Sequence, residues 1–159
     1  PIVLSDVAVP TLDTVRVLGD RRLVGLRRND EFDQRRIHGE ATQSITRDEI
    51  VKRNPLYLWQ MLTGIPSIKV VDNDTMVMAV SARVQLTSIL DNRPCPMAIA
   101  INGQLVEPRS DQTGVDLRFL PAPEVVYGIE VFAGASTIPV QYGGIGKNKW
   151  CGMVAIWTR

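Results

Sequence analysis

The sequence predicts an α+β domain: a small mixed β-sheet with short helices packed on it. Three observations point there. Thr46 is followed three residues later by Glu49, the spacing of a capping box, so a helix starts at residue 47. Beyond Pro66 the apolar residues recur every second position, which is the period of a strand. Three compact apolar runs, Met97–Ile101, Ile129–Phe132 and Met153–Thr158, are short and rich in β-branched or aromatic residues, as buried strands are.

The elements follow in chain order. Residues 1–11 read as an extended arm, apolar and β-branched but broken by Pro10, and residues 12–159 as the folded domain. Leu12–Leu18 alternates like a strand and stops at Gly19. From Asp20 to Gln43 charges crowd and apolar positions are sparse, which predicts a long exposed loop with room for one helical turn. The capped helix runs Arg47–Arg53 and stops at Asn54-Pro55. A second helix over Leu56–Thr63 puts Leu58, Met61 and Leu62 on one face and ends at Gly64, with Pro66 barring its continuation. Strands at Ile68–Val71 and Met76–Val80 flank the turn Asp72-Asn73-Asp74. Ser81–Asn92 carries no decisive pattern.

Met97–Ile101 leads into Asn102-Gly103, a type I′ hairpin signal, and Gln104–Glu107 returns. Pro108–Thr113 is a polar loop. Val115–Leu120 and Glu124–Tyr127 are single helical turns set off by Pro121 and Pro123. Ala133–Lys149, rich in glycine and small residues, is irregular, and Met153–Thr158 is the final strand. The expected arrangement is one sheet, with the two helices of residues 47–63 on one face.

Cys95 and Cys151 are the two cysteines, each placed just ahead of an apolar run. If those runs are neighbouring strands, the sulfurs meet within disulfide range. A bridge closing so long a loop stabilises by about 2–5 kcal/mol and belongs to an oxidising compartment. Two buried free thiols are the alternative. There is no Cys-x-x-Cys for redox work, and one histidine with two cysteines does not make a tetrahedral metal set.

The net charge of +1, from 18 basic and 17 acidic residues, gives no field for gathering nucleic acid. The charges concentrate between Arg16 and Arg53. One reading is a solvated face of mixed ion pairs. The other is an arginine-rich docking surface in which Arg27, Arg28, Arg35 and Arg36 meet acidic protein or lipid headgroups. Trp150, flanked by lysine, is either an interface anchor or a partly buried core residue. No run approaches the roughly 20 apolar residues of a membrane-crossing helix.

No constellation with catalytic spacing emerges, so a non-enzymatic chain without metal or cofactor is expected. His38, the single histidine, lies in the charged segment without a cysteine near it in sequence. Asp72-Asn73-Asp74 lacks the later glycine and terminal glutamate of a calcium loop. Gly143-Gly144-Ile145-Gly146-Lys147 lacks the Ser/Thr and the strand–loop–helix setting of a phosphate loop.

Taken in order, several stretches resemble the plug domain of TonB-dependent outer-membrane receptors. They are Ile45–Ile50 (ITRDEI), Asn54-Pro55, Leu62–Pro66 (LTGIP), Ile99–Gly103 (IAING), Leu120-Pro121, Val126–Gly134 (VYGIEVFAG), Pro139–Gly144 (PVQYGG) and Cys151–Arg159 (CGMVAIWTR). Leu12–Val17 weakly resembles the segment ahead of a plug, and Thr14–Val17, interrupted by Arg16, the box that pairs with TonB by strand addition. The resemblance spans roughly residues 12–159. It implies a plug-like domain in the bacterial periplasm, peripheral to a membrane. Such a domain would be a structural subunit docked on a membrane-protein complex. Alternatively it would be the excised plug of a receptor that gates substrate uptake through an outer-membrane barrel. No alternating barrel strands follow the plug-like part here.

Overall fold

A computed structural model of the chain describes residues 21–88, 91–110, 112–142 and 151–159. The Pro1–Pro10 arm, the Leu12–Leu18 strand, the Thr14–Val17 box, the loop around Gly143–Lys147 and Trp150 lie outside them. The fold is α+β, as expected, but it has two sheets rather than one. A five-stranded mixed sheet and a three-stranded antiparallel sheet sit beside two α-helices.

Helix α1 spans Arg21–His38, where the sequence predicts a loop. Its C-terminus explains how so charged a segment stops cleanly. Gly39 adopts φ 66°, its N–H donates to the Arg36 carbonyl, and the Glu40 N–H donates to the Arg35 carbonyl at 3.0 Å. That pair of reversed bonds is a Schellman motif, and it needs the left-handed residue that glycine supplies. Strand β1 (Gln43–Thr46) runs straight into helix α2 (Arg47–Arg53). The Thr46–Glu49 capping box forms, with the Thr46 N–H donating to the Glu49 carboxylate at 2.7 Å. Asn54 caps the other end in the left-handed region. The second expected helix is a tight 3₁₀ turn, Leu58–Leu62, burying Leu58, Met61 and Leu62.

Strands β2 (Ile68–Asp72) and β3 (Val77–Ser88) form an antiparallel pair, Val70 opposite Ala79, joined by the expected turn. The Asn73 side chain accepts the Met76 N–H at 3.0 Å. Of Ser81–Asn92, undecided in sequence, residues 81–88 continue β3 and residues 91–92 open strand β4 (Asp91–Pro96), which completes the smaller sheet. β4 is an edge strand, the place where Pro94 and Pro96 can sit without an amide to donate.

Strands β5 (Ala98–Ile101) and β6 (Gln104–Val106) make the hairpin through Asn102 (φ 51°) and Gly103 (φ 84°), two positive angles as a type I′ turn requires. Strands β7 (Val126–Phe132) and β8 (Met153–Thr158) are antiparallel neighbours, and β5 runs parallel to β8. The order across the larger sheet is β1-β7-β8-β5-β6.

Both faces of that sheet are covered, which is why β8 is buried at every position from Met153 to Trp157. Ile99, Ile129, Val131, Val154 and Ile156 face one way. They pack with Ile50 of α2, the 3₁₀ turn, and Ile68, Val77 and Ala79 of the smaller sheet. Ala100, Phe132, Met153, Ala155 and Trp157 face the other way and pack with Phe32 of α1. The molecule is thus layered: α1, the larger sheet, then α2 with the smaller sheet.

Two ties hold the smaller sheet in place. The first is the Cys95–Cys151 disulfide, with Cα atoms 5.4 Å apart and both residues buried. Cys95 does not open the apolar strand. It lies within β4, three residues ahead of Ala98, while Cys151 lies two ahead of Met153. Because Ala98 pairs with Met153 in parallel register, both chains enter the sheet from the same end and the sulfurs meet there. Gly152 beside the bridge has φ 99°, and a Cβ there would run into the Phe132 carbonyl.

The second tie is Asp116. Its buried carboxylate accepts the Val77 N–H at 3.1 Å, the Arg118 N–H at 3.1 Å and the Arg118 guanidinium at 2.7 Å. Arg118 also donates to the Thr75 carbonyl. The Arg118 hydrogen bonds hold the Asp116 carboxyl below its ordinary range, against the opposing effect of burial. The unfolded group titrates near about 3.9, so between the two values the unfolded chain binds more protons and stability rises with pH. The contribution is therefore complete above the unfolded value and is lost as pH falls through the folded one. Acid unfolding curves of Asp116→Asn should have a shallower limb below about pH 4 than the parent. Superimposable limbs would remove Asp116 as the cause.

Candidate interaction surface

The arginines proposed from sequence as a docking surface do not share one fate. Arg35 is buried, not presented to a partner. Its Nε donates to Glu130 Oε1 at 2.9 Å and its second nitrogen to Oε2 at 3.1 Å. Glu130, on β7, is fully buried. Trp157 Nε1 donates to the same carboxylate at 2.7 Å, and the Arg35 guanidinium stands 5.0 Å from the Trp157 ring centre. Both carboxylate oxygens are satisfied, as a buried charge demands. Complete burial pushes the Glu130 carboxyl above its ordinary range, and the Arg35 and Trp157 bonds pull the other way.

Around this pair, α1 is moulded to the sheet. The Phe32 ring fills the space over Gly128 so closely that a Cβ on Gly128 would overlap it. Phe32 meets Tyr127 edge-on at 5.7 Å, and the Tyr127 hydroxyl donates to Asp33 at 2.7 Å. Arg36 is exposed and pairs with Asp33 at 3.5 Å, so it fits the solvated-face reading. Arg27 and Arg28 lie on α1, with side chains outside the described set. His38 is the last residue of the helix rather than a loop residue, its Nδ1 2.7 Å from the Gln34 carbonyl oxygen.

A second surface gathers exposed apolar side chains from neighbouring segments. Arg47, at the start of α2, donates to the carbonyls of Pro123 and Val126 at 2.5 and 3.1 Å. This clamps α2 beside the 3₁₀ turn Pro123–Val125 and leaves an open groove of mixed character, with Ile50, Val51, Pro55 and Pro123 beside the polar Arg47, Asn54 and Glu124. Val51, Leu56 and Val125, on the segments that form it, are 57%, 75% and 47% exposed. The Leu56–Tyr57 backbone is held outward by design of local bonding: both N–H groups donate to the Gln60 side-chain oxygen, at 2.8 and 3.2 Å. Tyr57, half exposed, stacks on Trp59 with ring centres 6.2 Å apart. The Trp59 indole N–H is buried without an acceptor among the described residues.

No family model, curated protein or solved structure matches the chain. Among the described residues no group of three or more His, Cys, Asp or Glu side chains is arranged to hold a metal, and no helix is long and apolar enough to cross a membrane.

The α2 groove was not legible in sequence. Val51, Leu56 and Val125 look like core residues when read one at a time. The signal was Leu56 itself, which lies between Pro55 and Tyr57 and just ahead of a turn whose buried face begins only at Leu58.

Proposed function

We propose that this chain is a non-catalytic, plug-like interaction subunit of the bacterial periplasm that docks on a membrane-protein complex. The observation that carries the reading is the apolar exposure around the α2 groove, where Val51, Leu56 and Val125 are gathered on neighbouring segments, whereas exposed Ile37, Phe119 and Val140 lie on separate elements. Exposed apolar groups gathered at one place favour a protein partner. Two further points support it. The disulfide is compatible with an extracytoplasmic location. The plug-resembling stretches at Ile99–Gly103, Val126–Gly134 and Cys151–Arg159 supply β5, β7 and β8, with β8 pairing to β5 on one side and β7 on the other.

The test is capture from the native envelope. A photo-crosslinking residue at Leu56 should join the chain to a membrane protein, and Val51→Asp should abolish both that adduct and co-purification. A monodisperse monomer that captures nothing from position 56 overturns the proposal.

A further inference from the structure

We propose that Asn102-Gly103 is a site of spontaneous deamidation, restrained by Thr158, and that reaction there cuts the tie between the β5–β6 hairpin and β8. Asn102 is the only asparagine in the sequence followed by glycine. In this reaction the backbone nitrogen of the next residue attacks the side-chain carboxamide carbon. A side chain on that next residue crowds the approach, and glycine has none. Gly103 is exposed at the hairpin tip, where water reaches it. The Asn102 carboxamide, however, is engaged elsewhere. β5 ends at Ile101, opposite Ile156, and the Asn102 N–H still donates to the Ile156 carbonyl at 2.8 Å. There the main chain turns away, with φ 51° at Asn102 and 84° at Gly103. The side chain carries the pairing one step further: Oδ1 accepts the Thr158 N–H at 2.9 Å, and Nδ2 donates to Thr158 Oγ1 at 2.8 Å. Nδ2 cannot leave, nor the carbon turn to meet the Gly103 nitrogen, without breaking these bonds.

The chemistry needs nothing but water. The Gly103 nitrogen gives its proton to solvent base and bonds to the Asn102 side-chain carbon. The bond from that carbon to Nδ2 breaks, and Nδ2 takes up a proton and leaves as ammonia. Water then opens the five-membered imide at one of its two carbonyls. Opening at the side-chain carbonyl leaves aspartate, whose oxygen still accepts the Thr158 N–H. Opening at the main-chain carbonyl leaves isoaspartate, which routes the backbone through Cβ. That product lengthens a two-residue turn whose geometry sets the hairpin register, and it withdraws the acceptor from Thr158.

The experiment uses the whole chain with its disulfide intact, incubated in mildly alkaline buffer and mapped by peptide mass spectrometry. Unfolded in guanidinium chloride, the chain should convert Asn102 before any other asparagine; folded, it should convert Asn102 more slowly. Another asparagine reacting first when unfolded, or equal folded and unfolded rates, overturns the proposal. Thr158→Val keeps a β-branched strand residue and removes the hydroxyl. It should speed conversion in the folded chain by about fivefold, the equivalent of one hydrogen bond. Thr158→Ser keeps the hydroxyl and should stay within about twofold of the parent. A Thr158→Val rate no faster than that of Thr158→Ser overturns the restraint by Thr158. Among the separated products, the isoaspartyl chain should unfold at lower urea than the Asn102→Asp variant. Equal midpoints overturn the loss of the tie.

Discussion

Arg35→Met should lower stability by about 3–5 kcal/mol, the largest single-residue effect expected here, because it leaves the Glu130 carboxylate buried without its cation. The loss belongs to the stranded charge more than to the missing attraction, and a second substitution shows this. Glu130→Gln in the same chain keeps an oxygen for the Trp157 N–H and removes the charge, so Arg35→Met/Glu130→Gln should be more stable than Arg35→Met alone. Urea unfolding midpoints of the two variants and the parent decide the matter. A cost for Arg35→Met below about 1 kcal/mol, the size of an exposed ion pair, would mean that water reaches Glu130.

Loss of the Cys95–Cys151 bridge should cost about 2–5 kcal/mol. Cys95→Ala/Cys151→Ala, measured beside the reduced and oxidised parent, separates cross-linking from packing. The unbridged double variant and the reduced parent should unfold at similar, lowered urea concentrations. Both cysteines are buried, so reduction removes the link while leaving their packing in place. An oxidised parent no more stable than its reduced form would show that the two sheets hold together without the link.

Much of this architecture is legible along the chain, and the reasons differ by element. The Thr46–Glu49 box and the Asn102-Gly103 turn are read correctly because their bonds close within four residues, so local sequence contains the whole cause. β5 and β8 stand out because sheet faces buried on both sides leave uninterrupted apolar runs. α1 is missed for the complementary reason. Among its described residues the inward face is anchored by one aromatic and one arginine, and the acid that makes Arg35 a buried residue is 95 positions away. In the run from Arg27 to Arg36, nothing local distinguishes Arg35 from Arg36. Yet one is locked to Glu130 and the other, exposed, pairs with Asp33. The division into two sheets is hidden likewise. Alternation marks Met76–Val80 as a strand, but not that the strand continues to Ser88 and pairs with β4 instead of with β5.

The pairing order also constrains how the molecule comes into being. β8 is the last of the described strands in the chain, yet it lies at the centre of the larger sheet, between β7 and β5. During synthesis the strands on either side of it therefore emerge with a gap between them. Only when residues 153–158 have left the ribosome can they be joined. Nascent chains stalled short of that point should stay protease-sensitive throughout, with no stable half-domain appearing first.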